Sequence, residues 1–508
     1  MKRFNKWFRN TERGQAILII AFAMVGLVAF VGLMTDGGVL LIEYGKLKRG
    51  IDAAAVAASQ QFRRGFNGAD LAAAARNFLV LNESDATEIL IYRCKLDEEG
   101  VEDGTLHDAD LCTTPRRKLV RVEATRTVNF GFLRILGINS REISATSVGE
   151  AGSIDLVLVI DTSASMAYDT YTGPNADPTL DYTDGIDNTV GNPVDDEDPA
   201  VCNISVDTPC QPLEDVKNVA LVFLQTMYFP YDRVAVVAFT EQAQDGSATR
   251  QHYTVLPLSD TQSDVENAIQ SLKVFRPPDC VRDGNLPDPD TPTEGLCRNL
   301  DGSGIFKGFE CARFRHSMNQ DLSSCNSSNI GGALTRAWSE FTVGTVRPEA
   351  VWVTIMLAGG PANATDVPQS DVGDPKPPLG WTPEPSFHPF GFCPSVSPPC
   401  RDGDASNRNA QGSSDYDADD FARDSADAVA DPDNGGGITI YTIGLGGLIQ
   451  NGPPPGDPDE AEKLLEYIAL NAGGGSASHG LYFHAPDSDD LAEIFEKIAN
   501  DIFTKIAK

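Results

Sequence analysis

The stretch "LVLVIDTSASM" sets a carboxylate and two hydroxyls at alternate positions, Asp161, Ser163 and Ser165, directly after five uncharged apolar residues. Hard oxygen donors at this spacing, with room for water between them, suit Mg²⁺, Mn²⁺ or Ca²⁺. The same residues support a plainer reading, in which Asp161 and the serines only cap backbone groups in a strand-to-helix turn.

Chemistry at Asp161 requires a strand that ends there, and the surrounding pattern supplies one. From Ile154 onward, continuous apolar strands ("IDLVLVI", "RVAVVAF", "VWVTIML", "ITIYTIGLG", the short "LYFHA") alternate with amphipathic helices ("LEDVKNVALVFLQTM", "DVENAIQSL", "NIGGALTRAWSEF", "YDADDFARDSADAVA", "EAEKLLEYIAL", "DLAEIFEKIANDIFTKI"). Strands without polar alternation, separated by helices, predict a mostly parallel sheet covered on both faces. In such α/β folds ligands bind beyond the carboxyl ends of the strands, which is where Asp161 falls.

The Asp-x-Ser-x-Ser motif, followed in order by "DRVAVVAFT", "SSNIGGAL", "ITIYTIGLG" and "APDSDDLAEIF", resembles the von Willebrand factor type A (vWA) domain over residues 154–506. The resemblance implies a Rossmann-like, doubly wound sheet and a metal-ion-dependent adhesion site. Asp161, Ser163 and Ser165 would form its first loop, and Ser328 would take the place of the usual Thr in the second. In the third loop Gly359 stands where the family places an Asp. The implied Mg²⁺ or Mn²⁺ site is therefore degenerate, with Asp161 its sole charged member and a weakened affinity.

Charge and hydropathy bound the rest. The chain has 508 residues, with 73 Asp and Glu against 40 Lys and Arg and a formal net charge of -33, which repels nucleic acid and favours cations or basic partners. Residues 1–15 carry Lys2, Arg3, Lys6, Arg9 and Arg13 against one acid, and "AILIIAFAMVGLVAFVGLMT" follows with no charge at all. A run of this length spans a bilayer core of about 30 Å and exceeds the apolar part of a signal peptide. Its basic flank predicts a cytoplasmic N-terminus and an extracytoplasmic bulk. The expected order is a basic tail (1–15), a single-pass transmembrane helix (16–35), a solvated Ala-rich helical stalk (36–65), a small α+β module (66–150) and the large domain. "EILIYRCKL", "KLVRVEATRTVNF" and "REISATSVGEA" supply the module's alternating strands, behind the helix "DLAAAARNFLVL".

"RGQAILIIAFAMVGLVAFVGLMTDGG" and "YGKLKRGIDAAAVAAS" resemble the N-terminal region of TadG-like proteins of the Tad (Flp) pilus-assembly system, over roughly residues 12 to 60. That resemblance implies a role at the envelope beside pilus-assembly components. Pseudopilins of the same system carry a Glu five residues after their processed Gly. Ile19 holds that place after Gly14, which argues against prepilin-type cleavage.

All ten cysteines lie beyond the apolar run, where an oxidising compartment lets them pair. The simplest pairing joins neighbours: Cys94 with Cys112, Cys202 with Cys210, Cys280 with Cys297, Cys311 with Cys325, and Cys393 with Cys400. Zinc is the alternative, but no CxxC spacing occurs and the six histidines are scattered. Three inserts, near 167–212, 276–324 and 361–414, leave the same edge of the expected sheet. The first holds ten acids and no Lys or Arg, and could bind Ca²⁺ or simply be a solvated acidic loop. The third carries Trp381, Phe387, Phe390 and Phe392, either packed on the domain or presented to a partner.

No HExxH, GxSxG, P-loop or dinucleotide-binding glycine pattern stands in strand–helix context, so no enzyme is expected. The leading expectation is an anchored extracytoplasmic protein of a Tad-type pilus system that binds a protein or surface ligand. An anchored adhesin unconnected with pili is the alternative.

Overall fold

The structure, a computed structural model, describes residues 12–64, 68–95, 102–166, 202–206, 209–240, 253–274, 295–300, 306–315, 321–323, 328–362, 418–433, 436–450 and 459–506. The chain divides into two compact units, Met1–Ala151 and Gly152–Lys508.

In the first unit a single helix, α1 (Glu12–Ser59), runs unbroken for 48 residues. Its first half is exposed, and is long and apolar enough to cross a membrane. Its second half is not the solvated stalk expected over 36–65. Leu47, Ile51, Ala54, Ala55 and Ala58 are completely buried, against helix α2 (Gly68–Leu81) and a four-stranded sheet. The strands are β1 (Glu88–Arg93), β2 (Leu106–His107), β3 (Lys118–Asn129) and β4 (Ser140–Ala151), in the order β2-β1-β3-β4. The alanines explain the difference: a Cβ added to Gly149 of β4 would sit 2.2 Å from the Ala55 carbonyl oxygen. Small residues on both sides thus let helix and sheet close to backbone contact, so the alanine run is core rather than solvated surface.

In β3, Val120, Val122, Ala124 and Val128 face that core while their neighbours are partly or fully exposed, the period-2 pattern of a half-buried strand. A disulfide joins Cys94 to Cys112 beside the sheet.

The second unit is built on six strands, interrupted by a separate small sheet. The large sheet uses β5 (Ile154–Asp161), β6 (Arg233–Phe239), β7 (Tyr253–Ser259), β11 (Val351–Ala358), β12 (Thr439–Leu445) and β13 (Tyr482–Ala485), in the order β13-β12-β11-β5-β6-β7. All neighbours run parallel except β7, which is antiparallel to β6, shifts register along it and carries Pro257. Proline is tolerated there because an edge strand has one row of unpaired N–H groups. Every residue of β5 is buried, as its continuous apolar run requires.

Helices α3 (Leu213–Leu224), α4 (Gln262–Gln270) and α8 (Leu491–Ile506) cover one face over Leu156, Leu158 and Ile160. Helices α5 (Ile330–Thr342), α6 (Ala418–Ala430) and α7 (Glu460–Leu470) cover the other over Val157 and Val159. This is a three-layer, doubly wound α/β unit. From central β5 the chain builds β6 and β7 to one side and then returns to lay β11 against the other. The crevice beyond the carboxyl ends of β5 and β11 is the point where strand order reverses, the usual ligand position in such sheets.

Within the second insert, β8 (Gly295–Leu300), β9 (Phe306–Arg315) and β10 (Asp321–Ser323) form their own antiparallel sheet. Its register sets Cys297 opposite Cys311, a juxtaposition that neighbour pairing does not anticipate. Cys202 and Cys210 do pair as neighbours. Cys280, Cys325, Cys393 and Cys400 lie outside the described residues, as do most of the first insert and nearly all of the third.

Candidate functional site

Asp161 is the last residue of β5, and its side chain is completely buried. Three separate segments converge on it. Oδ1 accepts the Ser163 N–H at 2.8 Å; Oδ2 accepts the Ser328 hydroxyl at 3.1 Å and the Gly359 N–H at 3.0 Å. The other hydroxyls cluster beside it, with Ser163 Oγ 3.0 Å from Ser165 Oγ and 3.5 Å from Ser328 Oγ. Asp161, Ser163, Ser165, Ser328 and Gly359, from three distant stretches of sequence, therefore form one constellation at the crevice.

Local rules explain each placement. Thr162 sends both its N–H and its hydroxyl to the Phe239 carbonyl, at 2.9 and 3.1 Å, which ties the turn after β5 to the end of β6. A single 3-10 turn over Ala164–Met166, closed by the Met166 N–H on the Ser163 carbonyl at 3.0 Å, then presents Ser165. Ser328 is positioned by its neighbour: Asn329 donates its N–H to the Thr240 carbonyl at 2.7 Å and caps α5 by accepting the Gly332 N–H at 2.8 Å. The contributions of Asn329 and of the Gly359 N–H were not read from the sequence. Only the Asn329 cap, an Asn directly ahead of an apolar helical run, left a readable signal.

Gly359 does more than omit a side chain. A Cβ built on it would meet Ser165 Oγ at 2.7 Å and Met166 Sδ at 3.2 Å. The Ser165 hydroxyl therefore fills the space where a residue-359 side chain would begin. The missing acid and the inward position of Ser165 are one structural fact.

Burial pushes the Asp161 carboxyl above the ordinary carboxylate range, and the hydrogen bonds from Gly359, Ser163 and Ser328 only partly offset this. Among the described residues no Lys, Arg or His pairs with it. Neither is there, among those residues, any group of three or more His, Cys, Asp or Glu side chains arranged so that they could hold a metal ion. The donor set is one carboxylate and three hydroxyls, all hard oxygens. Ser163 Oγ and Ser165 Oγ, 3.0 Å apart, match the separation of about 2.9 Å between adjacent ligands around an ion bound at about 2.0–2.1 Å, whereas Ser328 Oγ stands wider, 3.5 Å from Ser163 Oγ. Ser163, Ser165 and Ser328 are donors of the type a small divalent cation takes, and Asp161 would supply its counter-charge. Such an ion would add Lewis acidity and an attachment point for an anionic group. The acidic cluster proposed for Ca²⁺ lies outside the described residues.

No family model matches the chain, and no curated protein matches it. Solved structures similar to it include a point mutant of the PilB minor pilin from Streptococcus sanguinis, 13% identical with a TM-score of 0.36, covering 77% of this chain and 76% of that one. The pilus adhesin SpaC from Lactobacillus rhamnosus GG is 13% identical with a TM-score of 0.35, covering 76% of this chain but 33% of its own. BatB from Bacteroides thetaiotaomicron is 12% identical with a TM-score of 0.29, covering 70% of this chain and 99% of that one. At these scores the likenesses carry no argument, and the functional reading rests on the geometry of the site.

Proposed function

We propose that the chain is a membrane-anchored, extracytoplasmic binding protein of vWA type, which holds a protein or surface ligand over the carboxyl edge of its large sheet. The observation that carries this reading is the buried Asp161, paired with no cationic side chain among the described residues, with three hydroxyls beside it at the point of strand-order reversal. A Mg²⁺ or Mn²⁺ held by Ser163, Ser165 and Ser328 would satisfy that charge. With one carboxylate in the set, a bound dication keeps a net positive charge that an acidic group of the ligand can meet.

The uncharged half of α1 supports the anchor, with the basic residues ahead of it directing the N-terminus to the cytoplasm. The resemblance of residues 12 to 60 to TadG-like proteins supports a place in a Tad-type pilus system, with pilus-assembly components as partners. Pilus secretion ATPase and prepilin genes beside this one would sharpen that setting, and their absence would favour an adhesin unconnected with pili. Binding rather than turnover is the proposed activity, in keeping with a sequence that carries no HExxH, GxSxG, P-loop or dinucleotide-binding pattern in strand–helix context.

The test is the unfolding temperature after chelation and then with Mg²⁺, Mn²⁺ or Ca²⁺ added, in wild type and in Asp161→Asn. A ligand of the native state raises stability by RT ln(1 + [L]/Kd). A rise that vanishes in the variant is the expected result. No rise with any of the three ions would remove metal from the proposal. A rise with Ca²⁺ alone that survives the substitution would move the ion to the acidic insert.

A further inference from the structure

The turn between β3 and β4 exposes four large apolar side chains within a few residues: Phe132 (43% exposed), Ile135 (82%), Leu136 (73%) and Ile138 (50%). Single exposed apolar residues are ordinary, but a cluster this dense at a loop tip calls for a partner. Its position along α1 identifies the partner. The β3–β4 hairpin lies along the helix and descends it in steps. Gly149 packs on Ala55, the Thr146 carbonyl accepts Lys48 Nζ at 3.0 Å, Arg126 pairs with Glu43 at 2.7 Å, and Gly131, Phe132 and Leu133 donate their N–H groups to Asp36 at 2.9, 2.9 and 2.6 Å. At the bottom of this ladder Phe132 is so close to Gly32 that a Cβ there would sit 2.7 Å from the Phe132 Cβ. The tip therefore lies beside the last turn of the uncharged run, which ends at Thr35.

We propose that the β3–β4 tip is a second membrane contact, with Phe132, Ile135, Leu136 and Ile138 seated in the interfacial layer of the same bilayer that α1 crosses. The inference rests on reading the first half of α1 as a membrane span. Arg134, in the middle of the tip, can reach headgroup phosphate while its stem stays among the apolar side chains. Asp36, the first charge after the span, gives its carboxylate three backbone N–H partners where water is scarce. The small unit would thus stand against the bilayer on two legs, which fixes its orientation rather than leaving it to swing on one helix.

The test uses the full chain in liposomes of phosphatidylcholine and phosphatidylglycerol, in a Trp7→Phe background, with a tryptophan introduced as Ile135→Trp or, separately, as Val25→Trp. Emission is read as the difference from the Trp7→Phe parent, and lipids brominated near the headgroup or deep in the chains report depth. The expected result is quenching of the Ile135→Trp emission by shallow bromines, and of Val25→Trp by deep ones. Deep quenching of Val25→Trp with an Ile135→Trp emission that neither lipid quenches would overturn the second contact while leaving the anchor intact. It would also point to a protein as the cover for the tip. Failure of both to be quenched would remove the membrane span itself and the proposal with it.

Discussion

Strand β5 carries a buried aspartate near each end, Asp155 and Asp161, and both are fully shielded from water. Asp155 is surrounded by cations. Arg233 grips it with two bonds at 2.9 and 2.6 Å, and Arg347 adds two more contacts, one of them at 3.4 Å, while donating to the Tyr231 carbonyl at 2.9 Å and the Ile154 carbonyl at 3.3 Å. Among the described residues Asp161 receives only neutral donors, two backbone N–H groups and a hydroxyl. A fold that can bring two arginines 78 and 192 residues away to one carboxylate has the means to neutralise the other. The contrast is therefore informative: the amino end of the sheet closes on its own opposite charges, whereas the carboxyl end, among the described residues, holds its buried carboxylate with neutral donors alone.

Breaking the amino end gives the largest expected effect. Arg347→Met leaves Asp155 paired with Arg233 alone and takes the Arg347 donor from two buried carbonyls; with each orphaned buried acceptor costing about 1–3 kcal/mol, the loss of stability should be about 3–5 kcal/mol. Urea unfolding should show this loss equally with chelator and with Mg²⁺, because the two ends are independent. A loss that depends on the cation would mean that the two aspartates are coupled and would dissolve the contrast.

The carboxyl end should respond to the opposite variables. Because burial raises the Asp161 pKa, the folded protein binds that proton more tightly than the unfolded chain does. Its contribution is most favourable below the ordinary Asp value of about 3.9 and declines as pH rises toward the raised folded value. In chelator, wild type should therefore lose stability relative to Asp161→Asn as pH is raised from the acid side. Saturating Mg²⁺ or Mn²⁺ should reverse that trend, adding about 2.7 kcal/mol at a concentration roughly one hundred times Kd. Equal pH profiles for the two proteins would show that the carboxylate is already compensated.

Ser328 separates the cation from the hydrogen bond. Ser328→Ala removes one donor to Asp161 and should cost about 1 kcal/mol in chelator, and it should also shrink the cation-induced rise. Ser328→Thr keeps the hydroxyl and should restore the rise. If alanine and threonine respond to Mg²⁺ alike, Ser328 is a cap and not a ligand.

What the sequence discloses about the two ends differs for physical reasons. Asp161, Ser163 and Ser165 are legible because their spacing is local and their strand is a continuous apolar run. Ser328 is legible only through the resemblance of "SSNIGGAL" to the second loop of the vWA metal site, since nothing local links it to Asp161, 167 residues away. The Asp155 cluster leaves no such trace, since its arginines come from β6 and from the turn before β11 and meet only after the sheet is assembled. Neither does the Gly359 N–H, a backbone group that any residue except proline would supply. In the small unit, alanine is equally at home on a wet or a dry helix face, so the second half of α1 reads as a stalk in sequence, and only the sheet packed against it makes it core. The bonds from three backbone N–H groups to Asp36, nearly a hundred residues away, are likewise a product of tertiary structure alone.

The smallest change tests the contrast most directly, because it tries to give the carboxyl end a second charge. Gly359→Ala places a Cβ against Ser165 Oγ, the tip of a half-buried side chain that can turn aside, so the loss in chelator should be about 1 kcal/mol. Gly359→Asp should cost more without metal, since it adds a carboxylate beside Asp161 where no cationic side chain among the described residues offsets it. With Mg²⁺ or Mn²⁺ the order should invert. The added acid strengthens a hydroxyl-dominated donor set, and the thermal rise should exceed that of wild type at equal metal concentration. If Gly359→Asp loses stability in chelator and the metal recovers none of it, the position of Ser165 has closed the site to a second carboxylate. The carboxyl end would then be specialised for a ligand that brings its own acid, or for none.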